Sequence, residues 1–201
     1  MKFSRGFTLL ELMLSITLFS AAMLIAVSSL LGVISFQRKS SALQRVENNI
    51  NFAVRSIMAD IGVGDRYYCT NSVPLPAVSA DNITPQSCWG LIWPNGGSIL
   101  VFKNVRGEKT VYRINNGSIL RCVSTSGACD SGSGASYLRL TAAYVNVASP
   151  PSAFYVDGAG PVPGDTKQPR VQIVVRASTD VGRQTETINI QSTVSQFSPD
   201  F

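Results

Sequence analysis

The 201-residue chain contains no histidine. Ser–His–Asp and Cys–His catalysis, imidazole metal ligands and imidazole pH switches are therefore excluded. Charge is scarce, with Asp, Glu, Lys and Arg making up only 14% of the residues, against roughly 25% in an ordinary soluble domain. Hydrophobic residues reach 45%, so the chain either hides much of its surface or keeps part of it in lipid. Proline is missing before Pro74, and nothing up to that point forbids an uninterrupted helix. A Gly-rich phosphate loop, a Gly-x-Ser-x-Gly elbow and a paired-carboxylate motif are missing too. No catalytic residue, metal ligand or cofactor is assigned, and the chain is expected not to be an enzyme.

The charge that is present is unevenly placed. The formal net charge is +5, from 17 basic and 12 acidic residues. Lys2, Arg5, Glu11, Arg38 and Lys39 are the only charges up to residue 39; the remainder holds 13 basic and 11 acidic groups, a balance of +2. A densely basic nucleic-acid surface is not supported. Leu12 to Phe36 carries no charge, and as a helix it would run roughly 37 Å, enough to cross a hydrocarbon core of about 30 Å. That run is too long for the apolar region of an ordinary cleaved secretory signal. The short N-terminus is placed in the cytoplasm, and the remainder of the chain outside it. Glu11 stands at the cytoplasmic end of the apolar run, where a carboxylate is costly to bury without a partner. Taken alone, it reads as a solvated headgroup-level residue.

Gly6-Phe7-Thr8-Leu9-Leu10-Glu11 resembles the processing motif of type IV prepilins and type II secretion pseudopilins. The resemblance implies a leader Met1–Gly6, cleavage after Gly6 by a prepilin peptidase, N-methylation of the new first residue Phe7, and a fifth mature residue, Glu11, that works in assembly between subunits. More weakly, Val46–Ala53 through Ala59-Asp60-Ile61 with Cys69, and the C-terminal stretch from Gln168 to Gln196, look like PilW-type or J-type minor pilins. The chain between about residues 70 and 165 carries no resemblance.

Beyond the apolar run, Leu43, Val46, Ile50, Val54, Ile57, Met58 and Ile61 recur at three and four, the stripe of an amphipathic helix that needs a covering surface. Helix is predicted from about Phe7 to Ile61, with Gly62 and Gly64 as stop signals. The pattern then turns to strands: Ser98–Lys103, Thr110–Asn115 and Ser118–Val123 around Asn116-Gly117, Tyr137–Val147, one strand carrying Val171, Ile173 and Val175, and one carrying Ile188 and Ile190. Ser124–Ser136 and Ser149–Pro169 read as surface loops.

The four cysteines, Cys69, Cys88, Cys122 and Cys129, lack the close-pair spacing of a zinc site and fit disulfides in an oxidising compartment. Of three possible pairings, Cys69–Cys88 and Cys122–Cys129 close local Gly/Pro-rich loops and are preferred. Asp157 and Asp165 share a loop but read as solvated rather than as Ca²⁺ ligands. Trp89 and Trp93 with Tyr67 and Tyr68 form either a binding surface or packing.

The expected fold is α+β: a leader over residues 1–6, a transmembrane or filament-core helix over 7–36, an amphipathic continuation over 37–64, and a head over 65–201 built on an antiparallel β-sheet. The resemblance implies a minor pilin or pseudopilin, a structural subunit at or near the tip of a type IV pilus-like filament or in an assembly-priming complex. Its implied partners are other major and minor pilins or pseudopilins, the prepilin peptidase and an inner-membrane assembly platform. The precursor would span the inner membrane once, with the head extracytoplasmic, and then pass into an extracellular or periplasmic filament. The competing expectation is a membrane-anchored extracytoplasmic binding module or enzyme that never polymerises.

Overall fold

The computed structural model describes residues 8–72, 75, 80–89, 94–125, 128–130, 137–160, 167–182 and 184–197. The chain divides into two compact units, Met1–Ala42 and Leu43–Phe201. In the first, the described residues after Thr8 belong to the start of helix α1, whose full extent is Leu9–Gly62. Among the described residues, the second contains the rest of α1 and two antiparallel sheets. One sheet has the order β1-β2-β3-β4-β5, formed by Asp65–Thr70, Ile99–Lys103, Lys109–Asn115, Ser118–Ser124 and Leu138–Arg139. In the other, β8 (Arg170–Val181) pairs along one edge with β9 (Gln184–Ser195). Along its other edge β8 pairs with β7 (Ala153–Asp157) and β6 (Asn146–Val147). The architecture is thus the α+β arrangement expected, with two sheets where one was anticipated.

The amphipathic stripe determines how α1 is used in the second unit. Val46, Ile50, Val54, Ile57 and Ile61 are buried, joined by Ala53, and Met58 packs against them. Arg45, Glu47, Asn48 and Arg55 stay exposed. Tyr67, Leu100, Phe102, Tyr112, Ile114 and Ile119 from the first sheet close on this stripe, as do Phe154, Val156, Val171, Ile173, Val175 and Ala177 from the second. One core therefore serves the helix and both sheets. The opposite face of the five-stranded sheet carries a smaller core of Ile99, Val101, Val111 and Cys122, covered by Leu75, Ile83 and Cys129.

The helix stops where its carbonyls find other donors. The Ile61 carbonyl accepts from the Gly64 N–H at 2.9 Å and from the Tyr67 hydroxyl at 2.5 Å. The Gly62 carbonyl accepts from the Phe197 N–H at 2.8 Å, so the C-terminal segment caps the helix. The Asn116-Gly117 hairpin forms as read: Asn115 pairs with Ser118, and both loop residues have positive φ, 46° and 71°, as a type I′ turn requires.

Two readings are corrected. Tyr137–Val147 is not one strand. It leaves the first sheet after β5 and enters the second at β6, and between them the Ala142 N–H is held by the Asn49 Oδ1 at 2.9 Å. Of its apolar residues, Leu140 and Ala142 pack on the core while Leu138 and Tyr144 are exposed. Ser149–Pro169 is not wholly a surface excursion. It contains β7, whose Phe154 and Val156 are fully buried and whose Phe154 exchanges backbone bonds of 2.8 Å with Gly97. The prolines around β7 masked a five-residue strand.

Candidate functional site

Helix α1 opens on Thr8. Its hydroxyl accepts from the Glu11 N–H at 3.3 Å, and its carbonyl accepts from the Leu12 N–H at 3.2 Å. Thr8-Leu9-Leu10-Glu11 therefore has the residue spacing of a capping box, Thr at the N-cap and Glu three residues on. Thr8 and Glu11 carry that signal in the sequence itself. A carboxylate in the first turn also complements the helix dipole. Glu11 is exposed. Gly6 and Phe7, the residues on either side of the expected cut, lie outside the described residues.

From Leu9 to Phe36 the helix presents apolar side chains on every side, among them Leu12, Leu14, Phe19, Leu24 and Leu31. A helix apolar all round belongs in lipid or among other helices. Five of the six hydroxyls along it, all but that of Ser29, are turned inward on the backbone. Ser15 donates to the Glu11 carbonyl at 2.7 Å, Thr17 to Leu14 at 2.9 Å, Ser20 to Ile16 at 2.8 Å, Ser28 to Ile25 at 2.9 Å and Ser35 to Gly32 at 2.8 Å. These bonds remove much of the cost of placing hydroxyls in an apolar medium. Glu11 is the one ionisable side chain between Leu9 and Phe36. The helix is long and apolar enough to cross a membrane, and with its position near the N-terminus it fits a single-pass anchored protein with the head outside.

At the other end of α1 stands a charged junction that the sequence did not announce. Asp60 lies in the last turn, where a negative charge opposes the helix dipole. Tyr112 from β3 donates its hydroxyl proton to Asp60 Oδ2 at 2.6 Å. Arg121 from β4 donates to the same oxygen through Nη2 at 2.9 Å and Nε at 3.1 Å, and Nε also reaches the Tyr112 oxygen at 3.0 Å. Burial, then the hydrogen bond to the Asp60 carboxylate, push the Tyr112 hydroxyl well above its ordinary pKa of 10. It stays protonated and keeps donating. The junction locks the end of α1 to the sheet; its groups are engaged with one another and leave none poised for proton transfer.

The head cysteines form two disulfides, Cys69–Cys88 and Cys122–Cys129, with Cα separations of 6.1 and 5.8 Å. The first lies in the larger core and the second in the smaller one. Cys129 and Asp130 are tied down further. The Tyr137 hydroxyl donates to the Cys129 carbonyl at 2.8 Å, and the nearly buried Lys109 pairs with Asp130 at 2.5 Å. The aromatic residues singled out in the sequence separate: Tyr67 is core, Tyr68 packs under the smaller core, and Trp89 is half exposed against Tyr155. Trp93 lies outside the described residues. Asp157 pairs with Arg170 at 3.0 Å, and Asp165 lies outside the described residues. Among the described residues no three His, Cys, Asp or Glu side chains gather as a metal would need.

Comparison with curated proteins and with solved structures finds no match. Residues 1–27 match the prokaryotic N-terminal methylation motif, and the N-terminal segment is thereby that of a type IV prepilin-like precursor.

Proposed function

We propose that the chain is a minor pilin or pseudopilin, a structural subunit of a type IV pilus-like filament, placed at or near its tip or in the complex that primes assembly. The observation that carries this reading is the combination at the N-terminus: a methylation motif over residues 1–27 running into a helix apolar on all sides, with Glu11 as its one ionisable residue. In lipid, that carboxylate costs several kcal/mol unless it is paired. Cleavage after Gly6 would create a cationic, methylated amine on Phe7. In a bundle of like helices, Glu11 would meet the amine of a neighbouring subunit, which draws the helix out of lipid and sets its axial register. The large disulfide-bonded head, with its minor-pilin-like C-terminal stretch, supports a tip or priming position rather than a repeating one. In this role the protein is not an enzyme; it works with other pilins or pseudopilins, the prepilin peptidase and an inner-membrane assembly platform.

The test is Glu11→Val. The variant is expected to insert and to be cleaved after Gly6, because the segment becomes more apolar, yet to co-purify poorly with partner subunits. Glu11→Asp should fall between the two. Normal assembly of Glu11→Val would leave the carboxylate as a headgroup residue only. A non-polymerising anchored binding module is the second reading, favoured by the exposed Trp89 surface; it requires an uncut N-terminus and a monomer.

A further inference from the structure

The outer face of the β7-β8-β9 sheet carries a surface cavity of about 190 Å³ lined by Trp89, Asp157, Arg170, Gln172 and Thr193. Strand register builds it in two adjacent rows. Tyr155, Gln172 and Thr193 stand opposite one another across the three strands, and Asp157 stands opposite Arg170 in the neighbouring row. Trp89 is 50% exposed and meets Tyr155 edge-on, with ring centroids 5.5 Å apart. Its backbone is held from the preceding residue. Cys88 is bonded to Cys69, and its N–H donates to the Val156 carbonyl at 2.8 Å. A half-exposed indole is thus fixed beside a polar floor on a rigid sheet, the arrangement that pre-organised binding requires.

The lining chemistry selects the ligand. Arg170 is already neutralised by Asp157 at 3.0 Å, so the cavity offers an anion no uncompensated charge. Nucleic acid would need a basic groove beside the aromatic platform, and the chain from residue 40 onward has a balance of only +2. A carboxylate, a guanidinium, an amide and a hydroxyl side by side present donors and acceptors together. That mixture matches vicinal hydroxyls, each of which both donates and accepts. The indole face, negative by its quadrupole, suits the weakly positive C–H face of a sugar ring. The volume falls below the roughly 300–1,000 Å³ of sites for drug-sized ligands, which leaves room for a single ring.

We propose that this cavity is a binding site for one neutral hexopyranose, the exposed residue of a glycan, which stacks on Trp89 while Gln172, Thr193 and the Asp157–Arg170 pair bond its hydroxyls. The proposal does not rest on the filament reading. The experiment is saturation-transfer difference NMR on the full chain in a detergent without a sugar headgroup, with the methyl glycosides of glucose, galactose, mannose and N-acetylglucosamine as probes. Aromatic irradiation is expected to saturate the ring C–H protons of at least one glycoside. Trp89→Ala should abolish the signal. Thr193→Lys, an exposed strand position whose longer side chain fills the cavity while Trp89 remains, should abolish it as well. Inorganic phosphate should not compete. Silence from all four glycosides, a signal that survives both substitutions, or displacement by phosphate would each overturn the assignment.

Discussion

At the residue scale, the positions with least freedom are those where a missing side chain lets other groups close in. Gly64 follows the helix end, and a Cβ built on it would stand 2.6 Å from Cδ2 of Phe102, a side chain with no exposure at all. Phe102 cannot swing aside, because Tyr67 and Tyr112 lie against it at ring-centroid distances of 5.8 and 6.0 Å. Gly64→Ala is therefore expected to destabilise the head by about 1–3 kcal/mol through overpacking, read as a lowered midpoint in denaturant unfolding. An unchanged midpoint would mean that the turn relaxes. The sequence offered Gly64 only as a helix-stop signal. Its tight fit against Phe102 depends on a residue 38 positions away, and no local pattern encodes it.

At the scale of elements, helix α1 and the β3–β4 hairpin were legible because their signals are local: an apolar stripe at three and four, and Asn-Gly between alternating runs. The junction that fastens them was not. Tyr112 and Arg121 face each other across the hairpin, but Asp60 stands 52 residues before Tyr112, and no local pattern links it to them. Their coupling gives a pH dependence with a definite sign. The folded-state pKa of Tyr112 is raised above its unfolded value of 10, so its contribution is fully present below pH 10. It is lost as pH rises from 10 toward the folded value, because the unfolded chain releases the proton first. Stability should fall above pH 10, and Tyr112→Phe should flatten that fall while losing about 1.5–3 kcal/mol at neutral pH, the worth of a hydrogen bond to a charged group. Absorbance at the tyrosinate band against denaturation midpoint would check both. The misread segments teach the same lesson in reverse. Tyr137–Val147 alternates like one strand but serves two sheets, and β7 hides among prolines because a five-residue strand with three buried residues, two of them adjacent, leaves little periodic signal.

At the scale of the whole molecule, the cysteines and the N-terminus carry the consequences for the cell. Protein recovered without reductant should show no free thiol, and its peptides should be linked Cys69 to Cys88 and Cys122 to Cys129. On the chain-entropy account, separations of 19 and 7 residues correspond to about 3.3 and 2.5 kcal/mol. Replacing Cys69 and Cys88 together should thus cost more than replacing Cys122 and Cys129. Linked peptides in any other pairing would contradict the fold. The local pairing was legible from spacing, whereas the Trp89 cavity was not: its residues come from a loop and three strands brought into register only by folding.

The measurement that bears most directly on the central claim is the intact mass of the protein extracted from cells, with N-terminal sequencing. The account predicts loss of Met1–Gly6, a first residue Phe7 and one added methyl group, and for Gly6→Val a full-length precursor that stays in the membrane. A wild-type chain that retains its first six residues, or one with the same mature mass in wild type and Gly6→Val, would contradict it.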